Sequence, residues 1–442
     1  MSLYGAMFSG VSGLAAQSQA MGVISDNISN VNTVGYKGNV ARFSTLVTDS
    51  FADSRYTPGG VRAQASQLIT QQGLVQASTS ATDLAISGNG FFVVSETTTP
   101  SQVGFTRAGA FSPDAQGNLR NTAGYYLLGL PADAQGNFPP AVGGANSLQP
   151  VNVSALTGFF APTDEIDFSA NLNDQQAVQP GAATYAAGDM AVRNATGTGG
   201  IQPDFERSLT LYDSKGGART VTMAFLKSPN ANEWSAEAYV EPATDVTTAN
   251  GLLGSGTVSF NSDGTLNLGG STFPTTLTPA WAPGLGLAAQ TITLDYGADG
   301  TREGLGQVAG SSNLQSSTVN GSPFGTLTGV NVGDDGVVTA QFSNGLTRAI
   351  SRLPLATFPN ANGLDARTGN VYFQTEASGA FDLKDPGFNG AGSVEGGALE
   401  SSTVDLASEF TNMITTQRAY SASSKIITTA DEMLDELIRI KR

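Results

Sequence analysis

Apolar positions follow three different rhythms along the chain. At the N-terminus Met7, Leu14, Met21 and Ile28 recur every seven residues, and Leu3, Gly10, Gln17, Ile24 and Val31 form a second column. This heptad-type spacing predicts a helix over 1–32, broken by Asn27, Asn30, Asn32 and Gly35. Gly5, Gly10, Gly13 and Gly22 each cost about 1 kcal/mol of helix propensity relative to alanine, so such a helix needs close neighbours. At the C-terminus Leu406, Met413, Tyr420, Ile427 and Leu434 are again spaced by seven, with Phe410, Ala430 and Leu437 widening the stripe. Ser402 with Asp405 reads as a capping box, and a helix is predicted over 403–440.

Between the ends the rhythm is that of strands. Val-, Thr- and Phe-rich runs predict strands at 90–95, 125–130, 208–212, 220–226, 234–240, 291–296, 337–342 and 346–350. Turn dipeptides punctuate them: Asn89-Gly90, Asp263-Gly264, Asp299-Gly300, Asn320-Gly321, Asp335-Gly336 and Asn344-Gly345. Asp-Ala-Gln-Gly-Asn occurs at 114–118 and 133–137, and both copies read as hairpin loops. Segments 177–203 and 270–288 read as linkers or long loops, and 386–397 separates the β region from the last helix. The fold class is mainly β with long helices at both termini, in several domains.

Composition narrows the chemistry. The chain has 442 residues, no Cys and no His. That excludes Cys/His zinc sites, disulfides and His-dependent nucleophile relays. The net charge of −16 argues against nucleic acid. No stretch reaches the length of a membrane helix, and the first residues lack the basic n-region of a standard signal peptide. Residues 1–25 carry no charge, and Asp26 alone precedes Lys37. A helix without a charged outer face, placed at the far end of the chain from its only long counterpart, favours packing between subunits over packing on its own core.

Catalytic patterns are weak. Gly304-Leu305-Gly306-Gln307-Val308-Ala309 fits a dinucleotide fingerprint but opens no helix. Asn261-Ser262-Asp263-Gly264 lacks the ligand ladder of a calcium loop. Asp164-Glu165 and Asp334-Asp335 are adjacent carboxylates in loops, read as solvated. Arg107 and Lys37 lie near asparagines without forming a phosphate cradle. No catalytic residue, metal site or cofactor is expected.

Several stretches, taken together, resemble the bacterial flagellar axial proteins of rod and hook, the hook members in particular. They are Ser25-Asp26-Asn27-Ile28-Ser29-Asn30-Val31-Asn32-Thr33-Val34-Gly35-Tyr36-Lys37, Thr82 through Val94, Phe105-Thr106-Arg107-Ala108-Gly109-Ala110-Phe111, and Gly397 through Leu406 running on to Leu434. In the middle, Leu211-Tyr212-Asp213-Ser214-Lys215-Gly216 and Leu355 through Leu364 are similar to hook members. Ser322-Pro323-Phe324-Gly325 departs from their pattern.

The resemblance implies an architecture. Residues 1–32 and 403–442 would form an inner-tube domain, with a linker at 396–402 before the C-terminal helix. Residues 33–74 would be an extended connecting segment. Residues 75–160 and 306–395 would make an inner β domain, and 161–305 an inserted outer β domain. Intersubunit or interhelix packing would fall to Leu3, Met7, Leu14, Met21, Ile24, Ile28, Leu406, Phe410, Met413, Tyr420, Ile427, Leu434 and Leu437. Asn27, Asn30, Asn32, Gly35, Tyr36 and Lys37 would be the family signature, acting as turn residues, a hinge loop or a subunit contact.

The implied function is a non-enzymatic subunit of a curved helical tube that passes torque as a universal joint. Its partners would be copies of itself, the distal rod protein, the hook cap protein, the hook–filament junction protein and the flagellar type III export apparatus, with no nucleic acid and no membrane insertion. It would lie outside the cell, exported without a cleaved signal peptide. The alternatives are a distal rod subunit, or a secreted β-rich enzyme or adhesin.

Overall fold

A computed structural model describes residues 3–46, 59–99, 102–133, 136–139, 147–154 and 156–440. The chain divides into two compact units. One comprises 1–156, 328–341 and 347–442; the other comprises 157–327 and 342–346.

The first unit holds both long helices, α1 (Leu3–Ser29) and, at the other end of the chain, Leu406–Ile440. Its sheet is built around Phe91–Ser95, the most apolar run in the chain, buried along its whole length. This strand pairs antiparallel with Val103–Thr106 on one side, and with Tyr126–Pro131 and Leu355–Thr357 on the other. Its alternate residues feed two cores. Phe92 and Val94 pack with Leu84, Phe111 and Leu127; Phe91 and Val93 pack with Phe105, Leu128 and Tyr372. Each such side chain contributes roughly 1.5–3 kcal/mol by leaving water. Burial on both faces explains a continuous apolar run where a one-sided strand would alternate.

Two short strand pairs bring the chain's ends together. Leu84–Ser87 pairs with Ser393–Gly396, and Val75–Ala77 pairs with Ala398–Glu400. The 33–74 stretch, expected to be extended, contains an antiparallel pair, Asn39–Leu46 with Gly60–Gln67.

The second unit combines two five-stranded sheets. One is an antiparallel meander of Phe205–Tyr212, Ala218–Lys227, Glu233–Glu241, Leu252–Phe260 and Leu266–Asn267. The other centres on Glu165–Asn173, with Ile292–Asp295 and Leu305–Val308 parallel to it and Asn313–Val319 antiparallel. Phe168, Phe225, Trp234 and Phe260 lie in the core between them.

Four details differ from the sequence reading. Segment 177–203 contains a helix, α2 (Asp189–Thr196). Asn320-Gly321 is no hairpin turn: the strand before it pairs with Glu165–Asn173, and the strand after it pairs with Gly158–Ala161. The inserted unit runs to 327, well past 305, because Asn313–Val319 belongs to its sheet. The cap of the C-terminal helix, α3 (Leu406–Ile440), is Asp405, whose Oδ1 accepts the Ser408 amide at 3.0 Å; Ser402 serves the preceding turn through the Val404 amide.

The loop at 114–118 forms as expected, with Asp114 Oδ1 accepting the Gln116 and Asn118 amides. Ala134 and Gln135 of the second copy lie outside the described residues. Leu305–Val308 is a strand, so the glycine pattern there precedes no phosphate-binding helix.

Candidate functional site

The chemistry of the first unit lies where the terminal helices meet the β domain. Helices α1 and α3 approach closely through small residues. Gly10, Gly13, Ala16, Ala20, Val23, Ile24 and Asn27 form the buried side of α1. A Cβ on Gly10 would lie 2.9 Å from Ile427 Cγ1, and one on Gly13 would lie 2.9 Å from Ser423 Oγ. Glycines that weaken the helix in isolation therefore permit the approach. Of the expected packing residues, Ile24 is buried, and Met7, Leu14, Met21, Ile28, Met413, Ile427 and Leu434 are half-buried. Leu406, Phe410, Tyr420 and Leu437 are exposed, as are Tyr4, Phe8, Val11, Ile426 and Ile438. The side chain of Leu3 lies outside the described residues. Among the described residues, α3 thus leaves several large apolar side chains exposed.

At the base of the helices lies a polar network. Asn27 Nδ2 donates to the Asn39 carbonyl at 2.8 Å and to Glu409 Oε1 of α3 at 2.9 Å, and Asn27 Oδ1 accepts the Asn39 amide at 2.9 Å. The Tyr36 hydroxyl donates to the same oxygen at 3.3 Å, and burial raises its pKa. Asn30 folds back on the helix end, its Nδ2 donating to the Asp26 carbonyl, and Asn32 is exposed in the turn.

Next to this network is a buried charge cluster. Lys37 Nζ donates to Glu400 Oε1 at 2.5 Å and to the Gln71 carbonyl at 2.5 Å. The Gly73 amide donates to the same Oε1 at 2.7 Å. Arg107 places one guanidinium nitrogen 3.4 Å from Glu400 Oε2 and donates with another to the Gly88 carbonyl at 2.6 Å. Its guanidinium carbon lies 5.3 Å from the centroid of the Phe91 ring. Exposure is 1% for Lys37, 0% for Glu400 and 4% for Arg107. Burial pulls the pKa of Lys37 and of Arg107 below the ordinary values, and Glu400 works against that shift. One carboxylate therefore holds two cations from segments far apart in sequence.

The backbone reinforces the junction. The Gly35 amide donates to the Glu400 carbonyl, and the Thr403 amide donates to the Tyr36 carbonyl. Gly35 takes φ +65°, and a Cβ there would lie 2.6 Å from the Ala108 nitrogen, so only glycine fits. The signature residues Asn27, Gly35, Tyr36 and Lys37 thus share one buried junction. Sequence reasoning missed Glu400, Arg107, Asn39 and Glu409 as its members. The available signal was isolation: Lys37 is the first cation of the chain, and Arg107 stands among uncharged residues. Among the described residues no group of acidic side chains is disposed to hold a metal.

Four family models match in the order these elements occur. They are the flagella basal body rod protein over 7–37, the flagellar hook protein FlgE/F/G D1 domain over 85–165, the flagellar basal body protein FlaE D2 domain over 202–322, and the flagellar basal body rod FlgEFG protein C-terminal region over 395–440. Rod and hook proteins share the terminal models, so full-length relatives decide. The flagellar hook protein FlgE of Caulobacter vibrioides is 35% identical, with all of both chains covered. The chain belongs to the flagellar hook protein family. The FlgE of Brucella suis biovar 1 is also 35% identical over all of both chains, and that of Salmonella typhimurium is 31% identical over 98% of each. The crystal structure of Helicobacter pylori flagellar hook protein FlgE2 aligns at a TM-score of 0.46 and 16% identity, covering 74% of this chain and 100% of that one. Hook proteins are structural and part of the flagellum, outside the cell.

Proposed function

We propose that this chain is the repeating subunit of a flagellar hook, a curved helical tube that carries motor torque to the filament. The observation that carries this reading is the set of exposed apolar side chains on α3, together with the small-residue contact between α1 and α3, in a chain matched end to end by hook proteins. Exposed Leu406, Phe410, Ile414, Ile426, Met433 and Leu437 would cost free energy in water, and burial against α1 and α3 of neighbouring copies removes that cost. The helices then form an inner tube and the β units lie outside it.

Residues 1–32 and 403–442 form the inner-tube part, with 396–402 as the linker. The β residues form an inner β domain, joined to the helices by 33–74, and an inserted outer domain that spans 157–327. The packing residues are Leu3, Met7, Leu14, Met21, Ile24 and Ile28 on α1, with the α3 set from Leu406 to Leu437. A uniformly rigid tube could not turn while bent, so neighbouring subunits slide. Charged residues make up only 13% of the chain, which limits strong ion pairs between sliding faces. The polymer adjoins the distal rod protein at one end and the hook–filament junction protein at the other, and grows beneath a hook cap. Export runs through the flagellar type III apparatus.

Electron microscopy of the purified chain at increasing concentration tests the proposal. Curved tubes are expected, and removing 405–442 is expected to leave a soluble protein that forms none. A chain that stays monomeric at all concentrations, or forms straight rods, overturns it.

A further inference from the structure

We infer that the Lys37–Glu400–Arg107 cluster is a clamp, so the junction between the terminal helices and the inner β domain does not flex when the hook bends. The inference rests on the hook reading above. It assigns the signature segment a rigid role and places the deformation elsewhere in the subunit.

The case begins with what a hinge requires. A hinge absorbs changes in φ and ψ, so its backbone groups must be able to exchange partners with water at little cost. Residues 35–38 are bonded on several sides instead. The Gly35 amide is held by the Glu400 carbonyl, the Tyr36 carbonyl by the Thr403 amide, and the Gly38 amide by Thr403 Oγ1 at 2.9 Å. The Gly38 carbonyl accepts the Leu68 amide, and the Val34 carbonyl accepts Asn370 Nδ2 at 3.0 Å. Lys37 and Glu400 are buried at the centre of this segment. Swinging the segment away would strip two buried charges of their partners before water could replace them.

The cluster also holds three places in the sequence at once. Lys37 follows α1, Arg107 lies in the β domain, and Glu400 precedes α3. Glu400 is thus a positioning residue: it sets where the chain leaves the β domain toward both helices. The Asn27–Glu409 bond extends the same attachment to the first turn of α3.

A reversible lock separates clamp from hinge. A Cβ at Gly38 would lie 3.5 Å from Thr403 Oγ1, close enough for Gly38→Cys with Thr403→Cys to form a disulfide. The natural chain has no cysteine, so the introduced pair is its only one. Polymers of this variant are compared oxidised and reduced, by electron microscopy for curvature and, in cells carrying the variant as their only copy, by swimming speed. The clamp predicts that oxidation changes neither. Straightening of the polymer or loss of swimming on oxidation, reversed by reductant, shows that the junction moves and overturns the inference.

A second measurement avoids substitution at the joint. Hydrogen exchange in assembled wild-type polymer is expected to protect the Gly35, Gly38 and Gly73 amides as strongly as those of Phe91–Ser95. Fast exchange at these three positions overturns the inference as well. Failure of the parent chain to polymerise instead counts against the hook reading, so the two failures are distinguishable.

Discussion

Glu400 and Glu237 are both fully buried carboxylates, one in each compact unit, and they are satisfied in opposite ways. Glu400 faces two cations, and its partners Lys37, Gly73 and Arg107 come from three distant segments. Glu237 has no cation among its bonded partners. Its Oε1 accepts the Tyr185 hydroxyl and the Gly188 amide, each at 2.8 Å, and its Oε2 accepts the Ala191 amide at 2.8 Å. The positive end of α2 therefore serves as its counter-charge. Tyr185 is correspondingly hard to ionise, its pKa raised by burial and by the neighbouring carboxylate. A charge held by distant cations ties a junction together, whereas one held by a nearby helix end orders a local loop.

The contrast breaks most visibly at Glu400. Glu400→Ala leaves Lys37 and Arg107 buried without a counter-ion, and the expected loss is about 3–5 kcal/mol. The two tryptophans, Trp234 and Trp281, both lie in the inserted unit. Urea unfolding should therefore show the helical circular dichroism signal of α1 and α3 melting early, while tryptophan fluorescence keeps its midpoint. A joint shift of both signals would mean that the cluster stabilises more than its own unit.

Lys37→Met sharpens the point, because it removes one cation and leaves Arg107 opposite Glu400. Charge is then balanced, and the loss should be that of hydrogen bonds to a charged group, about 1.5–3 kcal/mol. The same circular dichroism titration checks the order. A loss equal to that of Glu400→Ala would show that Arg107 adds nothing.

Glu237→Gln should cost less, up to about 2 kcal/mol, because it removes the charge at the start of α2 while keeping one acceptor oxygen. Here the tryptophan midpoint should move and the helical signal of the long helices should not. An unchanged tryptophan midpoint would show that α2 does not depend on the carboxylate.

These side chains also mark how far the sequence could be read. The long helices and the central strands were legible because their periods are local properties: seven-residue columns for α1 and α3, and a continuous apolar run at Phe91–Val94. The inward face of α1 was read less well. Heptad columns of Met and Leu drew attention, yet the deepest contacts are at Gly10, Gly13, Ala16 and Ala20, where the absence of side chain is what matters. Helix α2 was invisible for a different reason. Its eight residues lie in a stretch rich in Gly and Thr, and the group that stabilises its start, Glu237, arrives more than forty residues later on a strand. The Lys37–Glu400 pair spans 363 positions, a distance no local pattern reports.

The smallest expected effect concerns a third buried carboxylate, Asp213, which combines both modes in one turn. Its Oδ1 accepts the Lys215 and Gly217 amides at 2.9 Å each, and its Oδ2 accepts Arg219 Nε at 2.9 Å. Burial alone would raise its pKa, but these donors outweigh burial and hold it below the usual aspartate value. In the unfolded chain the pKa returns to about 3.9. Between the folded and unfolded values the unfolded state binds more protons, so stability rises with pH across that window. The contribution is therefore complete above about pH 5 and is lost as pH falls through the folded value. Arg219 also binds Asp245 at 2.7 Å and keeps that partner when Asp213 is neutral. Asp213→Asn should lower the tryptophan-monitored urea midpoint near neutral pH. Its deficit relative to the natural chain should shrink steadily on acidification below about pH 4. A deficit that stays constant on acidification would mean that the carboxylate's charge is not what stabilises this turn, and that its geometry alone suffices.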